Sequence, residues 1–297
     1  MFEKLFKEYN VGSTGLVPSP PDERDIALSS ITPEIQRYPE EFPPIFDLTI
    51  SNQGSVPSCV GHACATIKQA QEFRERENVF FNGDEIYREC KKIDGIPNVN
   101  GTYLRTGMKV LQKIGAKANG NAYRIARYAR VDDISFEGLK KAKTMHGELL
   151  AGFYGSNEGW RGEVVRPHRS GENQWAHAIA ITGYEKNYLI GHNSWGEKAH
   201  NKGLFKIPAD YLPFEAWISL DEANTLGEPI KTGWVASEFL SITGGSIKTT
   251  VNLNIRTSPE IKQGNIIMTL PRERAVQFTN REPVKDIKYN WVEVIYT

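Results

Sequence analysis

The stretch Gln53-Gly-Ser-Val-Pro-Ser-Cys59-Val-Gly-His-Ala-Cys-Ala determines how the rest of the chain is interpreted. A turn-forming run of glycine, proline and serine ends at a cysteine, and a helix-like segment continues to about residue 73. Ser58 stands in the N-cap position, which predicts that Cys59 lies in the first helical turn. The positive end of the helix dipole favours a thiolate there, and the thiolate is the nucleophilic form of cysteine.

A glutamine precedes this cysteine at a distance that suits a supporting role. Gln53 lies six residues before Cys59, so its side-chain amide can face the same point in space. The amide N–H of Gln53 and the backbone N–H of Cys59 would then form a pair of donors. Such a pair stabilises the oxyanion that forms when a nucleophile attacks a carbonyl carbon.

Two later segments supply a base and a group that orients it. Trp175-Ala-His177-Ala-Ile-Ala-Ile-Thr-Gly-Tyr is typical of a strand, and Tyr188-Leu-Ile-Gly-His-Asn193-Ser-Trp195-Gly is typical of a second strand that ends at an asparagine. The sixteen residues from His177 to Asn193 suffice for two strands and a hairpin. A cysteine, a histidine and an asparagine form a working set for acyl transfer.

These three motifs resemble the papain family of cysteine peptidases over roughly residues 47–220. In that family the histidine and asparagine follow the cysteine by about 130–150 residues; here they follow Cys59 by 118 and 134 residues. The resemblance implies an α+β fold with a helical left part and a β-barrel-like right part, spanning residues 46–222. It implies an endopeptidase that acts through a Cys59–His177–Asn193 triad and a thioester acyl-enzyme, with Gln53 in the oxyanion hole.

The resemblance also indicates residues that contact the substrate. The segment around Asn100, Gly101 and Thr102 borders the cleft in relatives and holds the substrate backbone, although a plain helix-capping turn is the alternative. Ala176, beside the histidine, and Trp195 are assigned to substrate binding by the same resemblance. Trp195 also shields the hydrogen bond between His177 and Asn193 from water.

The chain departs from the family at two positions beside the nucleophile. Family members usually have an aromatic residue directly after the cysteine, where this chain has Val60. Many also have a disulfide cysteine three residues before it, where this chain has Val56. The other two cysteines, Cys64 and Cys90, are expected to pack in the core.

Two other histidines, His168 and His192, compete for the role of the base. Neither is followed by an apolar strand that leads to the Asn-Ser-Trp turn at the right spacing, so His177 is preferred. The six histidines and three cysteines have no metal-ligand spacing, and neither a metal nor a cofactor is predicted.

Composition excludes some classes of partner. The 297 residues carry 36 basic and 36 acidic side chains, so nothing indicates nucleic acid or an anionic membrane. No apolar run approaches the ~18 residues of a membrane helix. No secretory signal is visible. We therefore expect synthesis in the cytoplasm, with a component of a phage virion as one option.

Residues 1–45 are rich in proline and are expected to be irregular, as in Gly12-Ser-Thr-Gly-Leu-Val-Pro-Ser-Pro-Pro. Two interpretations are open: an arm that lies over the core, or an inhibitory pro-segment. The segment is short for a pro-segment, because papain-like pro-regions usually form a helical domain of their own. Its proline run instead resembles the leader of bacterial and phage-type relatives.

Residues 223–297 are expected to form a small all-β domain after a linker that begins near Asp221. Leu253-Asn-Ile-Arg-Thr-Ser-Pro and Asn290-Trp-Val-Glu-Val resemble bacterial SH3-like (SH3b) domains. Lys231-Thr-Gly-Trp-Val-Ala-Ser-Glu-Phe-Leu resembles the closing strand of such a barrel, yet it precedes the first strand. A circularly permuted barrel, or the tail of one repeat before a shortened second one, would explain this order, and we favour permutation.

Three functional hypotheses follow. The first is a cysteine endopeptidase with a peptide or protein substrate. The second is a catalytically silent protein that keeps the fold as a structural or binding component of a phage particle or cell surface. The third is a hydrolase of cell-wall peptides, directed to them by a cell-wall or protein ligand of the SH3-like domain.

Overall fold

The chain combines helices and sheets, as the sequence predicts. The computed structural model describes residues 14–31, 38–45, 47–75, 78–221, 231–243, 246–261, 266–270, 275–278, 284–285 and 289–296. The linker and the boundary expected between residues 222 and 223 lie outside these described residues.

The part of the chain that precedes the C-terminal strands has two halves. Three helices form one of them: α1 Cys59–Arg74, α2 Gly83–Ile93 and α3 Leu104–Lys113. Helix α1 is buried along nearly its whole length, because α2, α3 and a sheet surround it. Ser58 occupies the predicted N-cap position of α1, but its side chain forms no capping hydrogen bond with the helix. Its hydroxyl instead donates to the Asp84 carboxylate at 2.5 Å, so this serine ties α1 to the start of α2.

Four short strands flank the helices: β1 Leu16–Val17, β2 Thr102–Tyr103, β3 Ala116–Ala118 and β4 Asn121–Tyr123. Strands β3 and β4 form a hairpin. Strand β1 comes from the N-terminal arm and pairs in parallel with β2, far away in the sequence.

The other half is a six-stranded antiparallel sheet with the order β5-β10-β6-β7-β8-β9. Its strands are β5 Ile125–Arg130, β6 Leu149–Gly155, β7 Trp175–Glu185, β8 Tyr188–His192, β9 Leu204–Pro208 and β10 Glu215–Asp221. Helix α4, Phe136–His146, packs on this sheet. Ser135 caps the start of α4, because its Oγ accepts a hydrogen bond from the backbone N–H of Gly138.

The central strand β7 is buried on both faces, which explains its continuous apolar sequence. Ile179 and Ile181 point into the core between the sheet and α4. Ala178 and Ala180 point the other way, into the core that surrounds α1. Small side chains on that face allow α1 to approach the sheet closely.

The described part of the N-terminal arm lies over the core. Leu28, Ile31 and Phe42 are buried against the α4 side of the sheet. Phe42 also exchanges two backbone hydrogen bonds with Tyr184 at the end of β7, each 2.8 Å long. Of the arm, residues 1–13 and 32–37 lie outside the described part of the chain.

The C-terminal segment is built from strands β11 Lys231–Ala236, β12 Leu240–Thr243, β13 Ser246–Thr249, β14 Leu253–Arg256, β15 Ile266–Leu270, β16 Ala275–Phe278, β17 Val284–Lys285 and β18 Asn290–Tyr296. Strand β11 lies between β18 and β14. Met145 of α4 joins the apolar core of this segment, together with Val235 and Ile255. No helix within the described ranges is long and apolar enough to cross a membrane.

A buried ionic cluster joins α1 to β10, the last strand of the six-stranded sheet in the sequence. Lys68 Nζ lies 2.6 Å from the Glu72 carboxylate and also contacts Asp221, and all three side chains are buried. The contact with Asp221 fixes the end of β10 against α1. The cation thus compensates two carboxylates that water does not reach.

We expect Lys68→Met to lower the free energy of unfolding by about 3–5 kcal/mol, because it leaves two buried carboxylates without their cation. Denaturant unfolding measures the change. Lys92→Met is the control, since Lys92 pairs with Glu89 on the exposed side of α2. Equal losses in the two variants would contradict a special role for the buried cluster.

Candidate active site

The structure places Cys59 at the contact between helix α1 and strand β7. Its Sγ accepts a hydrogen bond from the backbone N–H of Ala178 at 3.5 Å, and Cys59 is fully buried. Ala178 directly follows His177 in β7, so the close approach of α1 to this strand brings the cysteine to the residue beside the histidine. Cys59 and Ala178, 119 positions apart in the sequence, therefore meet through packing of the helix on the strand.

The imidazole of His177 is oriented by the asparagine that the sequence indicates. His177 Nε2 donates to Asn193 Oδ1 at 2.8 Å. The backbone N–H of Ser194 donates to the same oxygen, also at 2.8 Å. The indole of Trp195 stacks on the imidazole at a centroid distance of 4.8 Å and covers this hydrogen bond. With Nε2 committed to Asn193, Nδ1 is the nitrogen that can exchange a proton with Cys59.

Gln53 is held by contacts at both ends of its side-chain amide. Its Oε1 accepts from Ser194 Oγ at 2.7 Å, and its Nε2 donates to the carbonyl of Val56 at 2.8 Å. Its backbone N–H donates to the carbonyl of Ser194 at 2.8 Å. The loop before the nucleophile is therefore bound to the segment that carries Asn193.

Burial changes the protonation equilibria of the site. Burial raises the pKa of Cys59 to about 12, although the Ala178 N–H opposes this shift. Burial also lowers the pKa of His177 to about 4, against the opposing hydrogen bond to Asn193. Loss of hydration thus favours the neutral thiol and the neutral imidazole, against the helix dipole.

The N-terminal arm covers this pair. The backbone N–H of Thr102 donates to the carbonyl of Gly15 at 3.1 Å, where strand β1 begins to pair with β2. A backbone group of Thr14 faces the imidazole of His177 and favours its protonated form. Gly15 is packed so closely that an added Cβ would lie 2.0 Å from the carbonyl oxygen of Pro57.

The side chain that follows Gly15 fills an apolar recess beside the pair. Leu16 is buried, and a Cβ added to Gly152 in β6 would lie 2.7 Å from its Cδ2 atom. Phe214 and Leu104 line the same recess. Because Gly152 has no side chain, the recess has room for Leu16 of the arm, which crosses the site.

The residues that sequence analysis assigned to the substrate are placed as follows. Gly101 and Thr102 contact the arm, and Gly101 has a φ of 101°, which a side chain would strain. Asn100 is exposed beside them. Ala176 is paired with Tyr154 in the sheet, and Trp195 contacts His177.

Sequence reasoning missed two kinds of residue. It did not identify Thr14–Leu16 as the segment that crosses the site, since no local pattern reveals which surface an irregular arm covers. It also did not single out His200, which contacts Asn193. A histidine seven residues after that asparagine was the available signal.

Comparisons with known proteins identify the family and the fold of the larger part of the chain. The profile of the papain family of cysteine proteases matches residues 48–212, which is more than half of the chain. No curated protein sequence matches the chain significantly.

Solved structures show the same fold. Xylellain, a cysteine protease from Xylella fastidiosa, superposes with a TM-score of 0.62 at 21% identity, covering 70% of this chain and 96% of that one. Procathepsin B from Trypanosoma congolense superposes with a TM-score of 0.56 at 13% identity, and the match covers 75% of this chain and 89% of that one. Procathepsin L2 from the larval midgut of Tenebrio molitor superposes with a TM-score of 0.54 at 18% identity, and the match covers 73% of this chain and 80% of that one.

Gly15→Ala should open the site, because a Cβ there would collide with the Pro57 backbone and the left-handed φ of 74° disfavours alanine. We expect alkylation of Cys59 by iodoacetamide to accelerate at least about tenfold, since reaction requires access to the thiol. Rates are measured by peptide mass mapping, which separates Cys59 from Cys64 and Cys90.

Gly120→Ala provides the control for strain alone. Gly120 also has a left-handed φ, of 81°, but a Cβ there would meet no atom within 4 Å. This variant should react as slowly as the unmodified chain. Equal rates for the Gly15→Ala variant and this control would show that the arm does not limit access to Cys59.

Proposed function

The chain belongs to the papain family of cysteine proteases, and we propose that it is an endopeptidase that hydrolyses peptide bonds through Cys59, His177 and Asn193. One observation carries this proposal. Cys59 lies against Ala178, and His177 Nε2 is bound to Asn193, which leaves Nδ1 for the thiol. These neighbours supply the three groups that acyl transfer needs, namely a nucleophile, a base and a group that orients the base.

In the proposed reaction His177 Nδ1 takes the thiol proton, and the thiolate attacks the peptide carbonyl carbon. The amide of Gln53 and the backbone N–H of Cys59 stabilise the resulting oxyanion. The imidazolium then protonates the departing amine as the C–N bond breaks, which leaves a thioester on Cys59. Water, deprotonated by His177, attacks the thioester, releases the carboxylic acid and regenerates the thiol.

We also propose that the arm is inhibitory, the second of the interpretations left open by the sequence. Three observations support this. Strand β1 of the arm pairs with the strand that begins at Thr102, Leu16 fills the apolar recess, and Thr14 faces His177. The arm also excludes water, which keeps Cys59 and His177 neutral. Displacement of the arm would hydrate the pair and allow the thiolate–imidazolium state.

For the C-terminal segment we propose a circularly permuted SH3-like barrel. The position of β11 between β18 and β14 supports this, because a closing strand would lie beside both the last and the first strands. Packing of Met145 into the core of this segment supports a role as a fixed part of the protein. A cell-wall ligand of this barrel remains an alternative that would direct the protease to cell-wall peptides.

Labelling with a peptidyl epoxide tests the proposed chemistry. We expect the full-length Gly15→Ala variant to be modified at Cys59 alone and to hydrolyse casein, because an activated thiolate opens the epoxide ring. Cys59→Ala should abolish both. Cleavage of purified cell wall without cleavage of casein would favour the cell-wall hypothesis. Absence of labelling and of hydrolysis of either substrate would favour the catalytically silent alternative.

Gln53→Ala should lower kcat by about 10²–10³-fold, because it removes one of two oxyanion donors. Its effect on KM should be smaller, since the oxyanion forms only in the transition state. The control is Gln112→Ala, which removes a similar hydrogen bond to the Ala126 carbonyl, away from Cys59. An unchanged kcat for Gln53→Ala would contradict the oxyanion role.

A further inference from the structure

His200 occupies a backbone conformation that disfavours its residue type. It has a φ of 51°, in the left-handed region that glycine adopts without strain. Residues held there at a site are often retained for their side chain. The question is therefore what the imidazole contributes.

The hydrogen bonds of His200 fix both its tautomer and the amide that it contacts. Nδ1 lies 2.8 Å from the carbonyl oxygen of Gly162, which can only accept, so Nδ1 carries the proton. Nε2 of the neutral ring is then an acceptor, and it lies 2.8 Å from Asn193 Nδ2. Asn193 must therefore donate to His200 through its nitrogen.

The surroundings of His200 keep the ring in place and neutral. It stacks on Trp195 at a centroid distance of 5.7 Å and lies 4.8 Å from the ring of Phe205. Burial lowers its pKa below the usual value, which favours the neutral ring. The titratable group that faces it across Asn193 is His177, whereas Glu197 and Lys198 on its own loop are exposed.

The amide of Asn193 has one satisfied orientation. As observed, Oδ1 accepts from His177 and Ser194 while Nδ2 donates to His200. After a flip, the amide N–H groups would point at the N–H of Ser194, and Oδ1 would face the lone pair of His200 Nε2. Each of these contacts would be repulsive, so the flipped amide is excluded.

We propose that His200 is a positioning residue that holds the amide of Asn193 with its oxygen toward His177. This inference rests on the proposed function. His200 touches neither the substrate nor Cys59; it acts through Asn193. Without it, the backbone N–H of Ser194 remains to hold the amide, so we expect a partial loss of activity.

Two substitutions separate this role from a structural one. His200→Gly removes the acceptor and also relieves the left-handed strain, so kcat should fall about 10- to 100-fold through misplacement of His177, with KM unchanged. Thermal unfolding is measured in parallel, so that kcat is compared per folded molecule. His200→Gln places a carbonyl oxygen near the position of Nε2 and should restore part of kcat. All variants are compared in the full chain with Gly15→Ala.

Lys202→Gly is the matched control. Lys202 is exposed on the same loop and has nearly the same left-handed φ, 50°. The Lys202→Gly substitution relieves the same kind of backbone strain without changing a contact of Asn193, so kcat should not change. An unchanged kcat in His200→Gly, or an equal fall in Lys202→Gly, would overturn the proposal.

A measurement that does not depend on activity distinguishes this inference from the proposed function. In protein labelled with ¹⁵N, a scalar coupling across the hydrogen bond should link Asn193 Nδ2 and His200 Nε2. Absence of the coupling would overturn the role of His200 even in an active protease. Its presence in a protein that neither labels nor hydrolyses would support the hydrogen bond while the proposed function failed.

Discussion

The approach of helix α1 to strand β7 is the contact on which the site depends. Small residues on one face of β7 let the first turn of α1 reach the strand, and the N–H of Ala178 then meets the sulfur of Cys59. Because β7 is buried on both faces, neither element can shift without opening a core. The fold therefore sets the positions of Cys59 and of the strand that carries His177 through apolar packing.

A polar network adds orientation to that placement. The segment before Cys59 is tied to the segment after Asn193 by backbone and side-chain hydrogen bonds, among them Ser194 Oγ to Gln53. The network continues through Asn193 to His200 and the carbonyl of Gly162. Each amide in it faces partners that permit a single orientation, so the directions of the hydrogen bonds are fixed before any substrate arrives.

Access of water determines the protonation state of the same residues. Under the arm, burial raises the pKa of Cys59 and lowers that of His177, which favours the neutral form of each. A charged pair needs hydration or a compensating field. In the activity we propose, covering the site would therefore hold Cys59 in its less nucleophilic form.

The sequence by itself determined the helix α1, the apolar strand β7 and the motifs around Cys59, His177, Asn193 and Gln53. Periodicity, turn residues and short spacings are local properties, and they depend little on distant parts of the chain. Only the tertiary structure decided that Ser58 bonds to Asp84, that Gly15 and Leu16 cross the site, and that His200 meets Asn193. It also decided the burial that raises the pKa of Cys59, because burial and long-range contacts arise from packing between segments that no local pattern relates.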